Sequence, residues 1–221
     1  MFKKLLSYII PLNIFKQKST ISQTLEVTWT DGELVLDSKN TNYSYGSLQR
    51  ILRKGLKFIG FERIQTMDQI LVLGVAGGSV IKTLVDEIHF EGKITGVEID
   101  KAIIEIANEY FLLDQIQNLE IVIDDAFEFV LKTKDKYDLI IIDIFQDVRM
   151  PNFLFEKFFI DRICYLLKSR GFILFNTMLL NDKQKQLNHD FFNAFEASKY
   201  TVTILHKIEE LNELIIIESR F

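Results

Sequence analysis

The sequence predicts an α/β chain: a Rossmann-like doubly wound sheet, mostly parallel with an antiparallel last strand, preceded by a small N-terminal β-hairpin. Three observations predict it. From residue 69 onward, apolar runs of strand length alternate with stretches of helical period, as in a parallel sheet covered on both faces. The first of these runs ends in glycines and the next three end in acids. The last two strands are joined by a short polar link, Lys207 to Asn212, which is too short for a parallel crossover and so pairs them antiparallel.

The elements follow in order. Lys3-Lys4 precede the apolar stretch Leu5 to Leu12, which resembles the start of a signal peptide but has no small-residue cleavage site and is too short to span a bilayer. It reads as an amphipathic leader that packs on the domain or on a partner subunit. Residues 22–36 alternate, with Leu25, Val27 and Trp29 on one face and Glu26 and Thr28 on the other, and Asp31-Gly32 turns the chain into Glu33–Leu36. Ser44 or Ser47 is the expected cap of a helix carrying Leu48, Ile51, Leu52, Leu56 and Ile59. Its Arg50, Arg53, Lys54 and Lys57 read as a solvated face.

The main alternation then begins. Ile70–Leu73 leads through Gly74-Val75-Ala76-Gly77-Gly78-Ser79 into a helix with Val80, Ile81, Leu84 and Ile88. Lys93–Ile99 ends beside Glu98 and Asp100, Leu119–Ile123 at Asp124-Asp125, and Tyr137–Ile142 at Asp143. Gly171–Phe175 is the fifth strand; a polar helix over about 182–197 and two strands, 201–205 and 214–217, close the chain. The expected division is residues 1–60 for leader, hairpin and helix, and 61–221 for the Rossmann-like domain.

Composition excludes several classes. A net charge of −5 offers no basic footprint for nucleic acid. The one cysteine, Cys164, lies in an apolar helical pattern and reads as a small buried hydrophobe; without a disulfide framework a cytoplasmic setting is expected. Three scattered histidines give no metal-ligand spacing, so no metal is expected. Nor is stable membrane insertion, whereas the leader and hairpin suggest a homodimer.

Ligands of open parallel sheets sit outside the carboxyl ends of the strands. Gly74, Gly77 and Gly78 permit a tight turn and close backbone approach, and Glu98 follows Gly74 by 24 residues, the place of a ribose-binding acid. The loop does not match G-x-G-x-x-G, the fingerprint for a pyrophosphate. Asp125-Ala126 offers a carboxylate for an adenine amine. A cationic nucleoside suits these acids and a dinucleotide does not, which points to an adenosyl sulfonium. Each acid has a competing use as a helix cap. That use is preferred for Asp100, is as good as function for Asp124, and is second to function for Glu98, Asp125 and Asp143.

Gly74–Ser79, Val97-Glu98-Ile99-Asp100, Asp125-Ala126 and Tyr137–Asp143 resemble the successive motifs of the spermidine synthases, which share the class I methyltransferase fold. The likeness runs from Gln23 and Leu36-Asp37 through Leu154-Phe155 to Leu166–Gly171. It implies that Glu98 holds the ribose of S-adenosylmethionine or its decarboxylated form, that Asp125 takes the adenine amine, and that Asp143 handles the attacking group of a small-molecule acceptor. Four positions depart from the family. Its loop aspartate falls at Gly77; its D-x-x-D is stretched to Asp143–Asp147; its L-D-G-x-x-Q reads Leu36–Thr41 without the glutamine; and its tyrosine-histidine-glutamate step reads Tyr45-Gly46-Ser47. With the nucleoside end intact and the acceptor end altered, methyl transfer ranks first, aminopropyl transfer to a polyamine second, and a non-catalytic binding module third.

Overall fold

The computed structural model describes residues 2–38, 42–145, 149–206, 208–209 and 211–221. A seven-stranded sheet forms the centre, in the order β10-β11-β9-β8-β5-β6-β7. Its strands are β5 (Gln69–Leu73), β6 (Lys93–Glu98), β7 (Leu119–Ile123), β8 (Tyr137–Ile142), β9 (Leu167–Met178), β10 (Tyr200–Leu205) and β11 (Asn212–Ser219). β5 through β9 run parallel, and β11 is antiparallel to both β9 and β10. The expected fold and the antiparallel closing pair are both present.

The continuous apolar runs are explained by period-two burial with both faces covered. Ile70, Val72, Leu139, Ile141, Leu174 and Leu214 face one core, shared with α2 (Gly46–Ile59) and α4 (Ser79–Lys82). The alternate residues Leu71, Leu73, Ile140, Ile142, Phe175 and Ile215 face the other, shared with α6 (Ala126–Lys132), α7 (Lys157–Leu166) and α8 (Asp182–Asn193). In α2, Ile51, Leu52, Leu56 and Ile59 are buried while Arg50, Arg53, Lys54 and Lys57 are exposed, so the basic face is solvated. Beyond Lys82 the helix continues through a π-helical turn, Thr83–Glu87. Cys164 is half-buried against the second core, and burial pushes its thiol up to about 11, which leaves it protonated and inert at neutral pH.

The N-terminal region is larger than a hairpin. β1 (Leu12–Ser19), β2 (Gln23–Thr30), β3 (Glu33–Ser38) and β4 (Asn42–Ser44) form a four-stranded antiparallel sheet. The expected hairpin is its central pair, and Asp31 and Gly32 both take positive φ at its turn. Leu25, Val27 and Leu36 pack on Ile103, Ile106 and Phe111 of α5 (Lys101–Phe111), which fastens the small sheet to the large domain. Ser19 and Ser22 add hydrogen bonds to Asp100, which caps α5 by accepting from Ala102 N–H as expected.

The leader forms a short helix, α1 (Phe2–Leu6), that buries none of its side chains. It is tied to the hairpin turn by Ser7, whose Oγ accepts from Gly32 N–H and whose carbonyl accepts from Asp31 N–H. The cap of α2 also differs from expectation. Tyr45 occupies the cap position without a side-chain cap bond, because the Ser44 hydroxyl is engaged elsewhere, by Ser79 N–H.

Candidate active site

Strand order assembles the site. With β8, β5, β6 and β7 adjacent, the carboxyl edge presents Asp143, the glycine loop, Glu98 and Asp124-Asp125 in that sequence. Main-chain bonds step along the same edge: Asp143 N–H to Leu73, Gly74 N–H to Val97, and Asp124 N–H to Glu98. Three strand spacings of about 4.8 Å put Asp143 and Asp125 about 14 Å apart, the span of a nucleoside with a short tail. The chain direction of assembly reverses between β5 and β8, so Gly74 and Asp143 flank the topological switch point.

Gly74 has φ +88, and a Cβ there would stand 2.2 Å from the Asp143 carbonyl oxygen. That main-chain contact, not loop mobility, is why the position is glycine. Gly78 is also left-handed and precedes α4. Val75 and Ala76 direct their N–H groups at Glu98, whose Oε2 accepts both at 3.1 and 3.0 Å. Its Oε1 accepts from Asp100 N–H at 3.1 Å. Glycine-loop N–H groups form the kind of concavity that takes a phosphate, and here the protein's own carboxylate fills it. The Val75 and Ala76 N–H groups are thus occupied, and the same edge carries the carboxyl groups of Glu98, Asp125 and Asp143. Burial raises the Glu98 carboxyl above its ordinary range, the three backbone N–H bonds oppose this, and the Asp100 charge raises it further.

Asp125 caps α6, its Oδ1 accepting from Phe127 and Glu128 N–H at 2.8 and 3.3 Å. Ala126 is the first residue of that helix. Asp124 accepts from Asp125 N–H and faces Lys132 at 3.5 Å.

Asp143 does not cap the short helical turn Asn152–Phe155, whose cap position is Pro151. Its Oδ1 instead accepts from Asn176 Nδ2 at 2.8 Å. Burial pushes its carboxyl up to about 6; the Asn176 donor opposes that shift and the Glu98 charge adds to it. The second acid of the stretched pair, Asp147, lies outside the described residues, as do Lys39, Asn40 and Thr41.

Gly77 is closed off from the side of the small sheet. A Cβ there would meet Ser44 Cβ at 2.8 Å and the Tyr45 ring at 3.3 Å. The Tyr45 ring stacks on Phe111 with centroids 4.5 Å apart. Asn176 and Asn212 have no site role in the sequence reading, where Ser44 is only a cap candidate and Tyr45 only part of a departure from the family. Asn176 had a signal: a polar residue ending the apolar run Phe172–Phe175 at the same edge as Asp143. Among the described residues no cluster of three or more potential metal ligands exists, and no helix is long and apolar enough to cross a membrane.

The chain resembles known proteins in sequence and in fold. Residues 52–205 match the family described as Spermine/spermidine synthase domain. The polyamine aminopropyltransferase of Vibrio vulnificus is 30% identical over 134 residues, covering 58% of this chain and 44% of that protein. The chain thus spans less than half the length of such relatives. The spermidine synthase of Thermotoga maritima superposes with a TM-score of 0.73 at 18% identity, covering 95% of this chain and 73% of the other. Human methyltransferase-like protein 13, solved with SAH, gives a TM-score of 0.66 at 19% identity, covering 78% and 82%. These two likenesses are likenesses of fold.

Proposed function

The chain belongs to the spermine/spermidine synthase family, and from that premise we propose that it is a transferase moving an aminopropyl group from decarboxylated S-adenosylmethionine to a small amine. Altered residues at the acceptor end rank methyl transfer first when the sequence is read alone. The family match and the relatives named polyamine aminopropyltransferases reverse that order.

The observation that carries the reading is the Asp143 carboxyl, held at the switch point beside Gly74 and pushed up to about 6. An amine acceptor must lose a proton before it attacks, and a carboxylate with raised basicity orients the ammonium and takes the proton. When bound, the donor supplies a carbon made electrophilic by a positive sulfur, which departs as a neutral thioether. Glu98 Oε1, with one N–H already bound, retains capacity for the ribose hydroxyls. Asp125, whose cap bonds both use Oδ1, keeps Oδ2 for the adenine amine. Gly74 lets the loop lie close enough to Asp143 for acceptor and donor to meet in line.

One observation favours a second reading, methyl transfer from the intact cofactor. An acid at position 77 would collide with Ser44, so the aminopropyl ammonium lacks the carboxylate that the family resemblance leads one to expect there.

The by-product separates the two. Aminopropyl transfer forms an N–C bond, breaks a C–S bond and releases methylthioadenosine and a proton; methyl transfer releases S-adenosylhomocysteine. Each donor incubated with putrescine or spermidine should yield methylthioadenosine from the decarboxylated donor only. S-adenosylhomocysteine from the intact donor would establish the second reading, and binding without either product would leave a non-catalytic module.

A further inference from the structure

Asn176 is fully buried near the end of β9, in a strand whose preceding four residues are apolar. Burying an amide without partners is costly, and both ends of this one are engaged. Its Nδ2 donates to Asp143 Oδ1 at 2.8 Å, and its Oδ1 accepts from Asn212 Nδ2 at 3.0 Å. Asn212 opens β11 opposite Met178, while Asn176 lies opposite Leu214, so the two amides are diagonal neighbours on one face. The β10–β11 connection closes around Asn212: its carbonyl accepts from Ile208 N–H and its own N–H donates to Glu209.

We infer that Asn176 is a positioning residue for the Asp143 carboxylate, held at its other end by Asn212. An amide can be turned end for end at little steric cost, so its orientation is set by its partners. Reversed, Asn176 would bring its oxygen against a carboxylate oxygen and its NH2 against the NH2 of Asn212. Both contacts are then repulsive, so the acceptor-only carboxylate selects the donor end of Asn176, and the Asn212 bond holds the amide in that orientation. The consequence is that Asp143 Oδ1 is committed to Asn176, which leaves Oδ2 to meet an acceptor. A donor to the ionised form also offsets the burial and the Glu98 charge that favour the neutral acid. Glu98, on β6, is the charged neighbour that acts on Asp143 among the described residues.

This inference rests on Asp143 as the group that meets the acceptor, but its test needs no turnover. The 13Cγ resonance of Asp143, assigned by its loss in Asp143→Asn, is titrated in the wild type, in Asn176→Leu and in Asn212→Leu. Asn176→Leu should raise the midpoint by about one pH unit, tenfold in proton affinity, and Asn212→Leu should raise it by less. If Asn176→Leu does not fold, Asn212→Leu at the partly exposed end of β11 carries the test. A purely structural amide would lower the unfolding temperature and leave the midpoint where it was, and that result overturns the inference. If the midpoints move but no acceptor is ever turned over, the positioning holds and the transferase reading fails.

Discussion

The two ends of the proposed site, one for the nucleoside and one for the reacting groups, are built differently. At the nucleoside end, Glu98 and Asp125 are held by main-chain N–H groups within a few residues of strand ends: Val75, Ala76 and Asp100 for one, Phe127 and Glu128 for the other. At the reacting end, Asp143 is held by a side chain from β9, itself held by a side chain from β11, and Gly77 is covered by Ser44 and Tyr45. Backbone-built positions depend on the fold and little else. Side-chain-built positions can be altered one residue at a time, and two departures from the spermidine synthase motifs, at Gly77 and at Tyr45-Gly46-Ser47, begin at that end.

The largest expected effect separates the ends by function. Asp143→Asn should lower turnover by about 10²–10⁴, the usual contribution of a positioned acid or base, while donor affinity stays within a few-fold. Collapse of donor affinity in the same variant would merge the two ends. Next is the position that joins them. Gly74→Ala must adopt φ +88 and push against the Asp143 carbonyl, so it should lose about 2–3 kcal/mol of stability in urea unfolding. A neutral result would mean the loop and β8 separate freely.

A pH experiment sharpens the reacting end. The Asp143 carboxyl is near 6 in the fold and near 3.9 unfolded, so the native state binds the proton more tightly. Stability from this group is full below about pH 4, is lost as pH rises to about 6, and stays absent above. Asp143→Asn escapes the loss and should be more stable than wild type by about 1–3 kcal/mol at pH 7, with the gap closing below pH 4. The variant expected to lower turnover is thus also expected to gain stability. The smallest effect belongs to the other end: Asp125→Ala removes the cap of α6 and should cost about 1 kcal/mol, together with some affinity for adenosine.

Much of this was legible in the sequence, for a physical reason. β5, β6 and β8 are buried runs bounded by turns, and the edge rule alone puts Gly74, Glu98, Asp125 and Asp143 on one edge. Asp100 also read correctly as a helix cap, since a cap is a local bond, whereas Asp125, for which capping ranked second to function, caps α6 as well. β1 did not show because it is an edge strand whose Lys16-Gln17-Lys18 stay exposed, which erases the alternation. Ser44 looked like a cap for α2 but serves Ser79 across 35 residues of chain, and Asn176 acquires its role only once β8 and β11 are known to flank β9. Contacts made across strands carry no local signature.

The division of labour between the two ends is tested most directly by calorimetric titration with methylthioadenosine, which carries the ribose and adenine but no transferable group. Glu98→Gln is the variant to use, since its carbonyl can still accept from Val75 and Ala76 N–H and only the acceptor for Asp100 N–H is given up, whereas Glu98→Ala strips all three. The account predicts that Glu98→Gln weakens binding about tenfold, the scale of one hydrogen bond to a charged acceptor, while Asp143→Asn binds within twofold of wild type. Unchanged binding in Glu98→Gln, or a loss in Asp143→Asn as large as that in Glu98→Gln, would contradict it.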